Sequence, residues 1–252
     1  MLESFNLEGK VAIVTGCNTG LGQGIAMGLA EAGCKVVGVN RTEPKETIEA
    51  MNAAGHTFLD VRADLLKQEC IPGIIEKALT EFGQIDILVN NAGIIRREDA
   101  IEFSERNWDD VMNINAKTVF FMSQSVAKQF KAQGTGGKII NIASMLSFQG
   151  GIRVPSYTAS KSAVMGITRA MANEWARDNI NVNAIAPGYM ETNNTQALRE
   201  DADRNQAILE RIPAERWGTP KDVAGPCVFL ASSASDYING YTIAVDGGWL
   251  AR

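Results

Sequence analysis

The sequence predicts an α/β protein built on one doubly wound parallel sheet. Short apolar runs alternate with longer segments of helical periodicity along the whole chain. Many of these runs are rich in β-branched residues and almost continuously apolar, as expected for strands covered by helices on both faces. Such alternation predicts parallel strands joined by right-handed crossovers. The length of 252 residues suits one domain of this kind.

Seven segments are predicted as strands: Val11–Thr15, Lys35–Val39, Thr57–Val61, Ile85–Val89, Lys138–Ile142, Asn181–Ala186 and Tyr241–Val245. Helices are predicted between them, including Leu21–Ala32, Trp108–Phe130 and Tyr157–Asp178. No linker or internal repeat divides residues 1–252, so a single domain is expected. The polar segment 188–216 breaks the alternation after the sixth strand. Because ligands of open α/β sheets bind beyond the carboxyl ends of the strands, this segment is predicted to be a substrate lid.

Composition argues against several classes of function. The net charge of −5 disfavours binding to nucleic acid or anionic lipid. No apolar run approaches the ~18 residues of a membrane span, and the first residues lack the pattern of a secretory signal. The single histidine, His56, and four scattered cysteines suggest no metal site. A cytoplasmic protein with a small-molecule ligand is therefore expected. The cysteines are Cys17, Cys34, Cys70 and Cys227.

A glycine-rich turn follows the first predicted strand, with the sequence TGCNTGLG from Thr15 to Gly22. Glycines at such a turn let backbone N–H groups approach a pyrophosphate at the start of a helix. Alone the pattern is weak, because many turns need glycine only for its backbone angles. Its place between the first strand and the first helix strengthens the prediction of a dinucleotide site.

Several motifs occur in a fixed order along the chain. Besides the glycine turn they are Asn90-Asn91-Ala92-Gly93, Asn115, Ser144, Tyr157-x3-Lys161, Pro187-Gly188 with Thr192, and Val245-Asp246-Gly247-Gly248. Together they resemble the short-chain dehydrogenase/reductase family over essentially the whole chain. The resemblance implies a Rossmann-type fold and a nicotinamide-dependent oxidoreductase acting on CH–OH groups. It also implies a homotetramer, with the apolar Trp249 and Leu250 near an interface.

Tyr157 and Lys161 are four residues apart and therefore share one face of a predicted helix. A free tyrosine has a pKa near ~10, so only about one in a thousand is ionised at pH 7. A neighbouring ammonium favours the phenolate and lowers that pKa. The resemblance implies that Tyr157 is the acid/base, Ser144 orients the substrate oxygen and Asn115 positions a water near Lys161. The alternatives are an ordinary amphipathic helix and an asparagine bonded to backbone.

The resemblance also implies a set of cofactor contacts. They are Gly16, Asn18, Gly20, Leu21, Gly22, Asp64, Leu65, Asn91, Ala92, Gly93, Ile142, Tyr157, Lys161, Pro187, Gly188 and Thr192. Asp64 could instead cap a helix, and Pro-Gly is a common turn. NAD enzymes usually carry an acidic residue after the second strand to accept the ribose hydroxyls. Here Asn40 and Arg41 stand at that position, so NAD is favoured and NADP stays possible through Arg41.

Three stretches, 94–99, 144–157 and 246–252, resemble family members that act on deoxy sugar acids. This implies interconversion of 2-dehydro-3-deoxy-D-gluconate with its 2,5-diketo form, in pectin or uronate breakdown. A sugar-acid carboxylate is best bound by arginine, and Arg96, Arg97 and Arg153 lie in loops expected near the site. Each arginine could equally be solvated or serve subunit contacts. The substrate candidates are Ser144, Tyr157, Arg97, Arg153, Gln149 and Tyr189.

Two other functions remain open from the sequence. One is a different reductase of the same fold, such as a 3-oxoacyl carrier-protein reductase or a sugar-alcohol dehydrogenase. The other is a catalytically silent protein that senses the cofactor. Such a protein would keep the glycine turn but would not need Ser144, Tyr157 and Lys161 together.

Overall fold

A seven-stranded parallel sheet forms the centre of the molecule in the computed structural model, which describes residues 2–252. The strands are β1 (Val11–Thr15), β2 (Lys35–Asn40), β3 (Phe58–Arg62), β4 (Ile87–Asn90), β5 (Gly137–Ile142), β6 (Ile180–Pro187) and β7 (Thr242–Val245). Their order is β3-β2-β1-β4-β5-β6-β7. The predicted parallel sheet is thus confirmed. The direction of winding reverses between β1 and β4, and open α/β sheets bind ligands at such a point.

Helices cover both faces of this sheet, as the apolar character of the strands predicts. They are α1 (Gly20–Glu31), α2 (Lys45–Ala53), α3 (Ile71–Phe82), α4 (Glu105–Met112), α5 (Thr118–Gln133), α6 (Pro155–Trp175), α7 (Gln196–Glu200), α8 (Ala202–Arg211) and α9 (Pro220–Ala231). Successive strand residues point to opposite faces. Val14 therefore packs in the cluster that contains Ile25 of α1, whereas Ile13 packs in the one that contains Phe130 of α5. These two clusters hold the helices against the sheet and so determine the position of the strand ends.

The single helix predicted over Trp108–Phe130 is wrong in one respect. A π-helical segment, Asn113–Lys117, separates α4 from α5. The N–H of Thr118 donates to the carbonyl of Asn113, five residues earlier, instead of to the fourth. A π turn accommodates one extra residue and often marks a functional site. The cause is tertiary: the Asn115 side chain is bonded to the backbone of Ile94 on both sides of its amide.

The polar segment 188–216 folds into the short helices α7 and α8. Its apolar side chains join others in a small cluster that is separate from the two cores flanking the sheet. The members of this cluster are Met145, Ile208, Ile212, Trp217 and Trp249. The segment lines the cleft at the strand ends, and the name lid is used below for segment 188–216 because of this position. Between residues 2 and 252, no helix combines the length and apolar character needed to cross a bilayer.

Candidate active site

A cleft of about 980 Å³ lies along the carboxyl ends of the strands. Its walls come from the glycine turn, the residues that follow β2, β4, β5 and β6, and the segment 188–216. Every residue predicted to bind the cofactor lines it, and so do the substrate candidates other than Arg96. The structure therefore brings together residues that the sequence separates by up to 176 positions, from Gly16 to Thr192. Asn115, predicted to be catalytic, does not line the cleft.

The glycine turn closes tightly on itself and on the end of β4. Gly16 has a φ of +66°, a left-handed conformation that favours glycine. A Cβ on Gly22 would overlap the carbonyl oxygen of Gly16 and the Asn91 amide. The Asn91 side chain donates to the carbonyls of Thr15 and Gly16, at 3.0 and 2.8 Å. The amide of Asn91 thus holds the turn in place, in addition to lining the cleft.

Ser144, Tyr157 and Lys161 meet in the centre of the cleft. Ser144 stands two residues beyond β5, Tyr157 lies in the first turn of α6, and Lys161 follows one turn later. The Lys161 Nζ lies 5.6 Å from the centroid of the Tyr157 ring. It donates to the carbonyl of Ile142, at the end of β5, over 2.6 Å. The predicted shared helix face is confirmed, and Ile142 fixes where the ammonium points.

The electrostatics of the two titratable groups differ from the sequence expectation. Burial raises the pKa of the Tyr157 phenol, while its hydrogen bond with Ser144 and the positive charge of Arg97 lower that pKa. Burial also lowers the pKa of Lys161 to about 8, because the charged form loses hydration. Arg97 is thus a second cation that acts on Tyr157, in addition to the Lys161 ammonium beside the ring. Lys161 holds its proton less tightly than an ordinary lysine.

Two serine hydroxyls hydrogen-bond to the backbone of the residues at the centre of the cleft. The Ser147 hydroxyl donates to the backbone carbonyl of Lys161 at 2.6 Å and accepts from the backbone N–H of Ser144 at 3.3 Å. The Ser160 hydroxyl donates to the carbonyl of Tyr157 and accepts from the Asn115 amide at 3.1 Å. Asn115 is fully buried, so its side chain positions α6 and cannot itself touch a ligand in the cleft. The sequence did not single out Ser147 or Ser160.

The end of β2 carries a polar atom with no partner among residues 2–252. Asn40 is buried and donates through Nδ2 to the sulfur of Cys17, which leaves its Oδ1 without a hydrogen bond. The next residue, Arg41, lines the cleft and has no ion pair in the same part of the chain. Across the cleft mouth, Asp64 accepts from the N–H of Leu66 in a local turn. Asp64 therefore stabilises a turn, does not cap a helix, and lines the cleft.

The loop after β6 carries the predicted Pro187-Gly188 turn and approaches the glycine turn. Pro187 ends β6, and the N–H of Gly188 donates to the carbonyl of Val245 in β7. Thr192 begins a short 3₁₀ turn, and its methyl group would touch a Cβ placed on Gly20. The glycine turn and the start of the lid are thus in close proximity.

The opposite wall is aromatic and basic. Tyr189 packs edge-on against Trp217 and Trp249, with ring centroids 5.4 and 4.8 Å apart. The guanidinium of Arg211 lies 4.1 Å from the centroid of the Trp249 ring. The Trp249 Nε1 donates to Oε1 of Gln149 at 3.2 Å. Of these wall residues, only Tyr189 and Gln149 were predicted from the sequence as substrate contacts.

The lid arginines were missed although a signal existed. Arg204 and Arg211 lie seven residues apart in α8, and that spacing puts them on one face of a helix. Both line the cleft. Their position was not predicted, because α8 has only one buried residue, Ile208, and lies in a segment that the sequence marked only as polar.

The three arginines proposed from the sequence fall into different settings. Arg97 lines the cleft and donates to the carbonyl of Asn194 in the lid. Arg153 lines it too, but forms an ion pair with Asp99 at 2.9 Å. Arg96 pairs with Asp110 and does not line the cleft.

Known proteins resemble the chain over almost its whole length. A family model described as enoyl-(acyl carrier protein) reductase matches residues 16–250. A 2-dehydro-3-deoxy-D-gluconate 5-dehydrogenase from Dickeya dadantii (strain 3937) is 74% identical over 252 residues, which is all of both chains. The enzyme of that name from Escherichia coli (strain K12) is 73% identical over the same share.

Solved structures share the fold. A crystal structure from Agrobacterium tumefaciens, assigned provisionally as a 2-deoxy-D-gluconate 3-dehydrogenase, has a TM-score of 0.94 and 56% identity. The match covers 99% of each chain, and that protein holds bound NADP. The Rossmann-type fold is thus confirmed. The chain belongs to the short-chain dehydrogenase/reductase family and is an oxidoreductase that acts on CH–OH groups.

Proposed function

We propose that the protein interconverts 2-dehydro-3-deoxy-D-gluconate and its 2,5-diketo form with a nicotinamide cofactor, in pectin or uronate breakdown. The observation that carries the proposal is a cationic cleft around Ser144, Tyr157 and Lys161. Six cationic side chains line the cleft against two carboxylates, although the whole chain has a net charge of −5. The cations are Arg41, Arg97, Arg153, Lys161, Arg204 and Arg211, and the carboxylates are Asp64 and Asp201. An anionic sugar acid and a dinucleotide both suit such walls. Relatives of that name at 73% and 74% identity support the substrate.

The chain's own residues would move one proton. When bound, the nicotinamide ring supplies or accepts the hydride at the carbon that reacts. During ketone reduction the Tyr157 hydroxyl gives its proton to the developing alkoxide oxygen, and during alcohol oxidation its phenolate takes the hydroxyl proton. Ser144 holds the same substrate oxygen. A tyrosine is protonated at neutral pH, and burial raises the pKa of Tyr157 further, so the group is able to donate.

The oxidative direction needs a lower phenol pKa. Arg97 already acts in that direction, and Lys161 adds its charge when it is protonated. We propose that Lys161 also binds the cofactor ribose. Asn115 would be a positioning residue, because its side chain is hydrogen-bonded to Ile94 and Ser160. We propose that it also positions a water near Lys161.

The residues present fit a dinucleotide. The Oδ1 of Asn40 is a buried acceptor with no donor among residues 2–252, and an adenosine ribose hydroxyl can satisfy it. The glycine turn lines the cleft at the start of α1, where backbone N–H groups can approach a pyrophosphate. A carbonyl oxygen at this position favours a ribose 2′-hydroxyl over a 2′-phosphate, which has only acceptors to offer at neutral pH. We therefore propose NAD, while Arg41 leaves NADP usable.

Steady-state kinetics on 2-dehydro-3-deoxy-D-gluconate with NAD and with NADP test the proposal. We expect turnover with both and a higher kcat/KM with NAD. Asn40→Asp should raise that preference, because a carboxylate accepts both ribose hydroxyls and repels a 2′-phosphate. Arg41→Ala should lower kcat/KM with NADP alone. No turnover of the sugar acid with either cofactor would contradict the proposed function, and a preference for NADP would contradict the role given to Asn40.

We also propose a cytoplasmic homotetramer. Phe120 and Phe121 of α5 are each more than a third exposed and lie beside Ile167 of α6 in an apolar hollow. A second chain would cover this face. Trp249, in contrast, is buried within its own chain between Tyr189 and Arg211, so its apolar character needs no partner. Sedimentation of the purified protein measures the assembly.

A further inference from the structure

The arginines that line the cleft differ in what already engages them. Arg97 donates to a backbone carbonyl and Arg153 is paired with Asp99. Among residues 2–252, the guanidinium groups of Arg41, Arg204 and Arg211 have neither an ion pair nor a hydrogen bond. Arg41 follows β2 at the end proposed for the adenosine. The uncommitted cations on the substrate side are therefore the two on α8.

Arg211 is the better fixed of these two. Its guanidinium stacks on the Trp249 ring, whose exposed fraction is 4%. The Trp249 indole is in turn held by its hydrogen bond to Gln149 and by edge contact with Tyr189. Stacking orients the guanidinium plane and leaves the N–H groups at its edge available. A planar fork of this kind matches a carboxylate with two parallel hydrogen bonds.

The position along the cleft also favours Arg211 over Arg97. In the proposed substrate the carboxylate is at the far end of the carbon chain from the carbon that reacts. Arg97 lies near the reacting end, because its charge acts on Tyr157. Arg204 and Arg211 instead act on Tyr189, where they lower the phenol pKa against the effect of burial. Recruiting Arg153 would require breaking its ion pair with Asp99.

We propose that Arg211, stacked on Trp249, binds the carboxylate of the sugar acid, with the Tyr189 hydroxyl and Gln149 as neighbouring hydrogen-bonding groups. This assignment rests on the proposed function and specifies which end of the substrate the lid holds. It makes α8 the element that selects acids over neutral sugars. Binding of the carboxylate would hold the lid against the cleft.

The test compares a charged and an uncharged substrate. We expect Arg211→Gln to lower kcat/KM for 2-dehydro-3-deoxy-D-gluconate by about 10- to 100-fold, the range for a charge-assisted hydrogen bond. kcat/KM for the methyl ester of the same acid should change by less than about threefold, since the ester offers no charge. Arg106→Gln is the matched control, because Arg106 is exposed on α4 and does not line the cleft. It should keep the wild-type acid-to-ester ratio.

A binding measurement removes the dependence on turnover. In a Tyr157→Phe background, calorimetric titration of the acid should show weaker binding when Arg211 is also changed to Gln. If wild type oxidises neither acid nor ester, the proposed function is wrong and the subsite falls with it. If wild type oxidises the acid and Arg211→Gln keeps its acid-to-ester ratio, the subsite alone is wrong. A loss of the ratio in Arg204→Gln or Arg97→Gln, but not in Arg211→Gln, would likewise overturn the assignment.

Discussion

The two ends of the cleft differ in the groups that line them. At the cofactor end, the glycine turn and the strand ends present backbone, and the Asn91 amide bonds two carbonyls of the turn. At the substrate end, long side chains project from α8 and rest on a small cluster around Trp217 and Trp249. The first end is attached directly to the central sheet. The substrate end packs on a separate apolar cluster. Local opening of this end should therefore cost less free energy than unfolding of the sheet.

This difference sets what a substitution can do. A change in the glycine turn should affect the cofactor and the stability of the sheet together. A change in the lid should affect the substrate and leave the sheet intact. Tyr157 lies between the two ends. A substitution there should therefore change the rate of the chemical step and leave the binding of cofactor and substrate unchanged.

Tyr157→Phe should have the largest effect. The phenylalanine keeps the ring and removes the proton donor, so we expect kcat to fall by about 10²- to 10⁴-fold. Dissociation constants for cofactor and sugar acid should stay within about threefold of wild type. Single-turnover kinetics and calorimetry measure the two quantities. Retained turnover would contradict the acid/base role.

Gly22→Ala should damage the cofactor end. Its Cβ would overlap the carbonyl of Gly16 and the Asn91 amide, and such overpacking costs about 1–3 kcal/mol. We expect the cofactor dissociation constant to rise at least about tenfold and the melting temperature to fall. Gly73→Ala in α3 is the control, because nothing lies within 4 Å of its Cβ position. Unchanged cofactor affinity in Gly22→Ala would show that the turn is not the binding element.

Ile208→Ala should damage only the substrate end. Ile208 is buried in the lid cluster, and its loss leaves a cavity beneath α8. We expect KM for the sugar acid to rise about tenfold, equivalent to about 1.4 kcal/mol, with cofactor affinity unchanged. Hydrogen exchange should accelerate in residues 196–217 and not in the sheet. The matched change Ile74→Ala in α3 should lower global stability and spare KM; equal effects of the two variants would mean that lid and sheet open together.

Asp222→Ala should have the smallest effect. Asp222 in the first turn of α9 makes two hydrogen bonds of 2.8 Å to Arg216, at the end of the lid, and accepts from the N–H of Thr219. These partners hold the pKa of Asp222 well below its usual range. A carboxyl with a depressed folded pKa stabilises the protein above its unfolded pKa of about 4, and this contribution is lost as pH falls towards the folded value.

We therefore expect Asp222→Ala to cost about 1–2 kcal/mol of unfolding free energy at pH 7, a modest value because Arg216 is largely exposed. Urea denaturation at pH 7 and at pH 3 measures the difference, which should shrink at the lower pH. Asp222→Asn keeps an acceptor for Thr219 and should lose less. A cost that does not change with pH would show that the charge contributes nothing.

The sequence revealed the cofactor end better than the substrate end for a physical reason. Gly16, Gly22 and the pair Tyr157 and Lys161 act within one turn or one helix, so their spacing alone carries the geometry. The stacking of Arg211 on Trp249 joins residues 38 positions apart and exists only once α8 has docked. The same holds for the ion pair of Arg153 with Asp99, which no local pattern announces. The π segment also escaped prediction, because it depends on the bonds between Asn115 and Ile94.

That π segment has a consequence for how the chain tolerates insertions and deletions. One residue rotates an α-helix by about 100°, so deleting a residue from Asn113–Lys117 would restore a regular helix only by turning its two halves against each other. Either Met122 and Phe130 would leave the core, or Asn115 would lose Ile94. A one-residue deletion here should therefore be far more damaging than one in an exposed loop.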